Sequence, residues 1–190
     1  ITLLLMGLLT SALNVSPVKA EPIIEEVDDS LSPNYYETSE FLIGSVAVGV
    51  IFPESNGSID PSTEDWTSVE ESQVITQITE ALNWWTGYNP SAHVTFSTEV
   101  KYRVPTGYEP ISRSLWDHGL WITETIEYLG YSSVLDYVND LRNRLSTNWA
   151  FLIFVVDSSN DVDGCFTDWY FVHGPIGGPY ILTSYDCGSI

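Results

Sequence analysis

The chain has 190 residues, 44% of them apolar, with 26 acids against 6 bases and a net charge of −20. A charge of that sign and size repels nucleic-acid phosphate and anionic lipid, and leaves cationic partners, divalent cations and plain solubility in a salty or acidic medium as its uses. The apolar fraction suffices for a real core, and the length left after a leader is removed suits one domain.

Residues 1–20, ITLLLMGLLTSALNVSPVKA, read as the apolar core of a secretory signal peptide, with Val18-Lys19-Ala20 as the small-residue pattern before cleavage. The run is too short to span a bilayer, and Asn14, Pro17 and Lys19 interrupt its end. The expectation is a secreted protein without a membrane anchor once the leader is cut. Residues 21–40 carry seven acids and no base, a composition expected of an acidic linker.

The run 41–52, FLIGSVAVGVIF, is apolar and rich in β-branched residues, and it ends at Pro53, which predicts a buried strand. A polar loop covers 53–66. Ser68 with Glu71 three residues on has the capping-box pattern, and Val74, Ile75, Ile78, Leu82 and Trp85 recur at helical spacing, so a helix is expected over 68–86, ended by Gly87 and Pro90. Residues 92–104 alternate and predict a strand with one wetter face. After a loop to His118, two shorter helices are expected, divided near Gly130. WAFLIFVVD, 149–157, predicts a second buried strand, followed by an acidic loop, a strand over 166–172, the turn 173–179 and a strand over 180–185. Two all-apolar strands imply a sheet covered on both faces and largely parallel, and the last two runs imply an antiparallel hairpin at its edge. The expected class is therefore α/β, with a mixed, mostly parallel sheet flanked by helices.

The loop DSSNDVDGCFTD, 157–168, raises the possibility of calcium. Ser159, Asp161 and Asp163 hold alternate positions before Gly164, and Asp157 and Asp168 would complete an oxygen shell. The pattern is incomplete, because its first position is Ser and its twelfth is Tyr170. The same residue types also form ordinary turns between strands. Cys165 and Cys187 are candidates for one disulfide in an oxidising compartment, with two buried thiols as the other reading. Asn56-Gly57-Ser58 is a glycosylation sequon if the host glycosylates.

His93, His118 and His173 lack metal-ligand spacing, and there is no H-E-x-x-H, no G-x-S-x-G elbow and no phosphate loop. Among 26 acids the sequence selects no pair for glycoside hydrolysis. Trp84, Trp85, Trp116, Trp121, Trp149 and Trp169 suggest a sugar platform, but Trp85 and Trp149 fall on expected core faces. The edge strand before GPIGGP could take an extended peptide by strand addition.

FLIGSVAVGVIFPESNGSIDPSTEDW, ALNWW, NWAFLIFVVDSSNDVDGCFTD and GGPYILTSYD together resemble the amino-terminal half of secreted zincin-type, metzincin-like metallopeptidases, over about residues 41–188. That is a resemblance of ordered segments, not of a catalytic motif. It implies a strand, a backing helix, two more strands, an antiparallel edge strand and a last strand, with the H-E-x-x-H helix next. It also implies that Thr167, Asp168, Trp169, Tyr170, Phe171 and Val172 form the edge strand that aligns a peptide substrate. Structural metal before that edge would fall on Asp157, Asp161, Asp163 and Asp168. Catalytic zinc and the general-base Glu would come from residues beyond Ile190, so the chain is expected to be a monomeric, catalytically silent fragment. The alternative is a secreted, acidic, calcium-stabilised binding module without catalysis.

Overall fold

The computed structural model describes residues 33–187. The expected leader and most of the acidic segment lie outside the described residues. The order of elements is β1 (Ser45–Ser55), α1 (Ser68–Tyr88), β2 (Thr95–Thr106), α2 (His118–Tyr128), α3 (Val134–Leu145), β3 (Trp149–Val156), β4 (Val172–His173) and β5 (Tyr180–Ser184). The strands form one five-stranded sheet in the order β2-β1-β3-β5-β4. All neighbours are parallel except β4 and β5, which are antiparallel. The fold is α/β with a mixed sheet, as expected from the sequence.

The two apolar runs become the centre of the sheet because they alone can be buried on both faces. On one face Ala47, Ile51, Leu152, Phe154 and Leu182 pack with Trp121 and Ile126 of α2 and Tyr137 and Leu141 of α3. On the other, Val46, Val48, Val50, Phe52 and Phe151 pack with Val74 and Leu82 of α1. β2 lies at one margin and is largely exposed, the wetter strand that its alternation implies.

Several boundaries move, each for a local reason. β1 begins after Gly44, whose φ of 66° is left-handed, and it continues through Pro53. A proline lacks an N–H for the ladder. The register with β2 shifts between Ile51 and Pro53, and Arg103, at φ 49°, takes up the extra residue on β2, so the proline sits at a bulge. The capping box of α1 is Thr67 with Glu70, one residue earlier than Ser68 with Glu71. Glu71 instead receives the Arg103 guanidinium at 2.7 Å. Trp85, expected in the core, is 43% exposed and packs edge-on against Trp84 and Tyr88 at the end of α1.

Residues 33–44 run as an arm before β1. Tyr35 donates to Asp136 of α3, and Arg142 donates to the carbonyls of Asn34 and Glu37. The buried Thr38 accepts the Ala150 N–H of β3 at its carbonyl, and its hydroxyl donates to the Gly177 carbonyl.

Candidate functional site

The strand expected over 166–172 shrinks to Val172–His173. The carboxylate of Asp168 is the cause. It accepts the Ser114 hydroxyl at 2.7 Å and the Leu115 N–H at 3.1 Å, which fastens it to the turn leading into α2. Burial raises the Asp168 carboxyl, but these donors outweigh it and hold the group below the usual range. The chain then folds tightly, Trp169 N–H to the Phe166 carbonyl and Phe166 N–H to the Tyr170 carbonyl. Trp169 takes a φ of 68° there, a costly conformation for a bulky residue, and its side chain is 78% exposed. Thr167 gives its N–H to the Arg113 carbonyl and stays in the turn. Of the six residues expected to align a substrate, Val172 alone lies in the strand, while Tyr170 and Phe171 lead into it.

Val172 pairs with Thr183 and His173 with Leu182. Ser184 N–H donates to the Phe171 carbonyl, so Phe171–Ser184 is a bonded pair. Antiparallel pairs alternate between bonded and non-bonded positions. Val172 therefore turns its own N–H and carbonyl away from β5, toward the free margin of the sheet.

The two faces of this margin differ. On the side of α1, Val172, Ile181, Phe151 and Leu42 line a groove of about 600 Å³, closed at one end by Gly177 and Gly178. On the side of α2, the rings of Trp116 and Tyr170 meet edge to face at 6.1 Å, and Trp116 meets His173 at 5.9 Å. Trp116 is 65% exposed. Behind them the His118 ring lies 5.3 Å from His173. His118 Nδ1 faces the Leu115 carbonyl, so it carries a proton, and Nε2 shares a hydrogen bond with the Tyr180 hydroxyl at 2.8 Å. Sequence reasoning missed this wall, because Trp116 and His118 come 50 or more positions before Tyr170 and His173 and no spacing rule links them. Trp116, already named among the tryptophans of a sugar platform, was the available signal.

The acidic loop is organised by its own backbone. Asp157 accepts the Ser159 N–H, Asp161 accepts the N–H groups of Asp163 and Gly164, and Asp163 accepts the Cys165 N–H. Asp168 is committed to Ser114 and Leu115, as above. The calcium candidates are thus not brought into one shell. Among the described residues no three His, Cys, Asp or Glu side chains gather in a way that could hold a metal ion. His93, His118 and His173 do not fit a catalytic zinc, since both ring nitrogens of His118 are already engaged. Cys165 and Cys187 are bonded and tie this loop to the end of β5.

Deeper in the same end of the sheet Asp157 joins Glu54, Glu64 and Glu109, three acids that sequence reasoning did not single out. Glu109, 2% exposed, accepts the N–H groups of Thr63 and Glu64. The buried Glu64 in turn accepts the N–H and side-chain amide of Asn160. Burial pushes Glu109 and Glu54 up to about 7, with neighbouring carboxylates adding to it, and raises Asp157 and Glu64 as well. One oxygen of Asp157, Oδ2, is buried without a hydrogen-bond partner.

Comparison with protein-family models, with curated proteins and with solved structures returned no match to this chain.

Proposed function

We propose that this chain is the substrate-aligning, non-catalytic portion of a secreted zinc-dependent peptidase, in which the β4 margin receives an extended peptide. The observation that carries the reading is the free main-chain edge at Val172, set between an apolar groove and an aromatic wall. Strand addition needs those unpaired groups for affinity and flanking pockets for alternate side chains. The antiparallel strand at the margin, followed by a last parallel strand, is the arrangement the zincin resemblance implies. Two further features support it. α2 and α3 cover one sheet face across β1, β3 and β5, whereas the α1 face leaves the groove over Phe151, Ile181 and Val172 open beside β3 and β5. The disulfide accords with an oxidising, extracellular setting.

The described residues do not fit the zinc, so no chemical step is assigned to them. The reading places metal and general base on residues beyond Ile190. Reading the gene onward tests it: an H-E-x-x-H within roughly 10–20 codons is expected, and a frame that ends or continues without that motif overturns it. On the protein itself, an extended peptide should slow hydrogen exchange at the Val172 amide.

The second reading is an acidic, calcium-stabilised binding module without catalysis. The partnerless Asp157 Oδ2 in the acidic loop is the observation in its favour. It requires that calcium raise the melting temperature and that a chelator reverse the rise; a melting temperature indifferent to both removes the calcium.

A further inference from the structure

We infer that the β4 margin selects basic peptides, with an arginine or lysine of the bound strand lying against Trp116 and Tyr170. The inference deepens the peptide-aligning reading and rests on it. In an added strand, the residue paired with Val172 points to the same face as Val172, into the groove with Ile181 and Phe151. Its two neighbours point to the opposite face, where His173 contacts Trp116 and Trp116 contacts Tyr170. Groove and wall therefore read alternate residues of the same peptide, an apolar one and its neighbour.

Charge decides what that neighbour is. All five described bases are already engaged. Lys101 and Arg144 hold Glu99, Arg103 holds Glu71, and Arg113 holds Asp60. Arg142 is spent on the carbonyls of the arm. No described Lys or Arg is left to meet a peptide carboxylate, while the chain carries a net charge of −20. Close to the wall are the carboxylates of Asp117, on the turn that carries Trp116, and Asp168, held ionised by Ser114 and Leu115. Two exposed aromatic rings in a negative field favour a cation, and a guanidinium can stack on an indole face while its stem covers the neighbouring ring.

The test uses the full chain and four capped pentapeptides, acetyl-Ala-Val-Xaa-Val-Ala-amide with Xaa arginine, citrulline, norleucine or glutamate, titrated by calorimetry at low and high salt. Arginine should bind about three- to fivefold more tightly than its neutral isostere citrulline, the size of an exposed cation–aromatic contact. Glutamate should bind worst, and added salt should narrow the spread. Trp116→Ala and Tyr170→Ala, both at exposed positions, should erase the arginine–citrulline gap while norleucine binding persists. Equal affinity for arginine and citrulline, or a gap that survives both substitutions, overturns the inference. Peptides that protect the Val172 amide without preferring arginine would leave the aligning edge standing and remove only its basic specificity. Failure of every peptide to bind would remove the edge reading and the specificity with it.

Discussion

Two groups of half-buried and buried carboxylates sit in this one domain and behave in opposite ways. Under α3, Glu99 accepts the Tyr137 hydroxyl and two nitrogens of Arg144, with Lys101 at 3.4 Å. The Arg144 guanidinium outweighs burial and brings Glu99 down to about 2. At the far ends of β1 and β2, Glu54 and Glu109 accept hydrogen bonds from backbone N–H groups and lie among other acids, with no described cation bonded to either, and burial raises both to about 7. Burial is common to both groups, so the partner sets the sign. A carboxylate bonded to a cation is held as an anion, and one bonded only to N–H groups among fellow acids binds its proton more tightly.

The difference can be broken or sharpened by experiment. The largest effect should come from releasing the acidic loop. Replacing Cys165 and Cys187 by Ser opens a closure with a sequence separation of 22, which should cost about 3 kcal/mol by loop-closure entropy, read by denaturant unfolding. The acid-only group should respond more than the paired one. Next, Arg144→Met leaves Glu99 with Tyr137 and Lys101 alone, and should cost roughly 2 kcal/mol at pH 7. That cost should fade as pH falls from about 4.5 toward 2, because a depressed carboxylate stabilises the fold only above its unfolded value and loses this as it is protonated.

The unpaired group gives the opposite slope. An acid raised to about 7 binds its proton more tightly in the folded chain than in the unfolded one, so stability should fall as pH rises from about 4.5 to about 7, and level off above. Glu109→Gln should flatten this, gaining about 1–2 kcal/mol at pH 8 and nothing at pH 4, measured as paired melting curves. A variant equally stabilised at both pH values would remove titration as the cause. The smallest effect belongs to Lys101→Met. Its contact with Glu99 is exposed and secondary to Arg144, so the loss should stay under about 0.5 kcal/mol.

What could be read from the sequence follows from how local each signal is. β1 and β3 are long apolar runs, and only a doubly covered central strand suits them. The helix of 68–88 announces itself by its apolar spacing. The length of β4 could not be read, because the pull of Asp168 on Ser114 and Leu115 comes from 53 and 54 residues away. Trp85 sits at a helical core position but falls past the sheet margin and half out of the interior. Glu54, Glu64 and Glu109 were invisible among 26 acids, since they meet Asp157, which the loop pattern did pick out, only once the parallel strands set their ends together. The disulfide could be listed as a candidate, because two cysteines allow one pair.

The arm at residues 33–44 has a consequence for the order in which the molecule is made. Thr38 is made well before Gly177, to which its hydroxyl bonds across a sequence separation of 139, while Tyr35 must find Asp136 and the Glu37 carbonyl must find Arg142, both on α3. Contacts this distant in sequence form late. The arm therefore docks in full only once α3, β3 and the turn at Gly177 are all in place. The turn that shapes the groove gains its last support only when Thr38 and Ser39 of the arm fold back onto the carbonyls of Gly177 and Gly178.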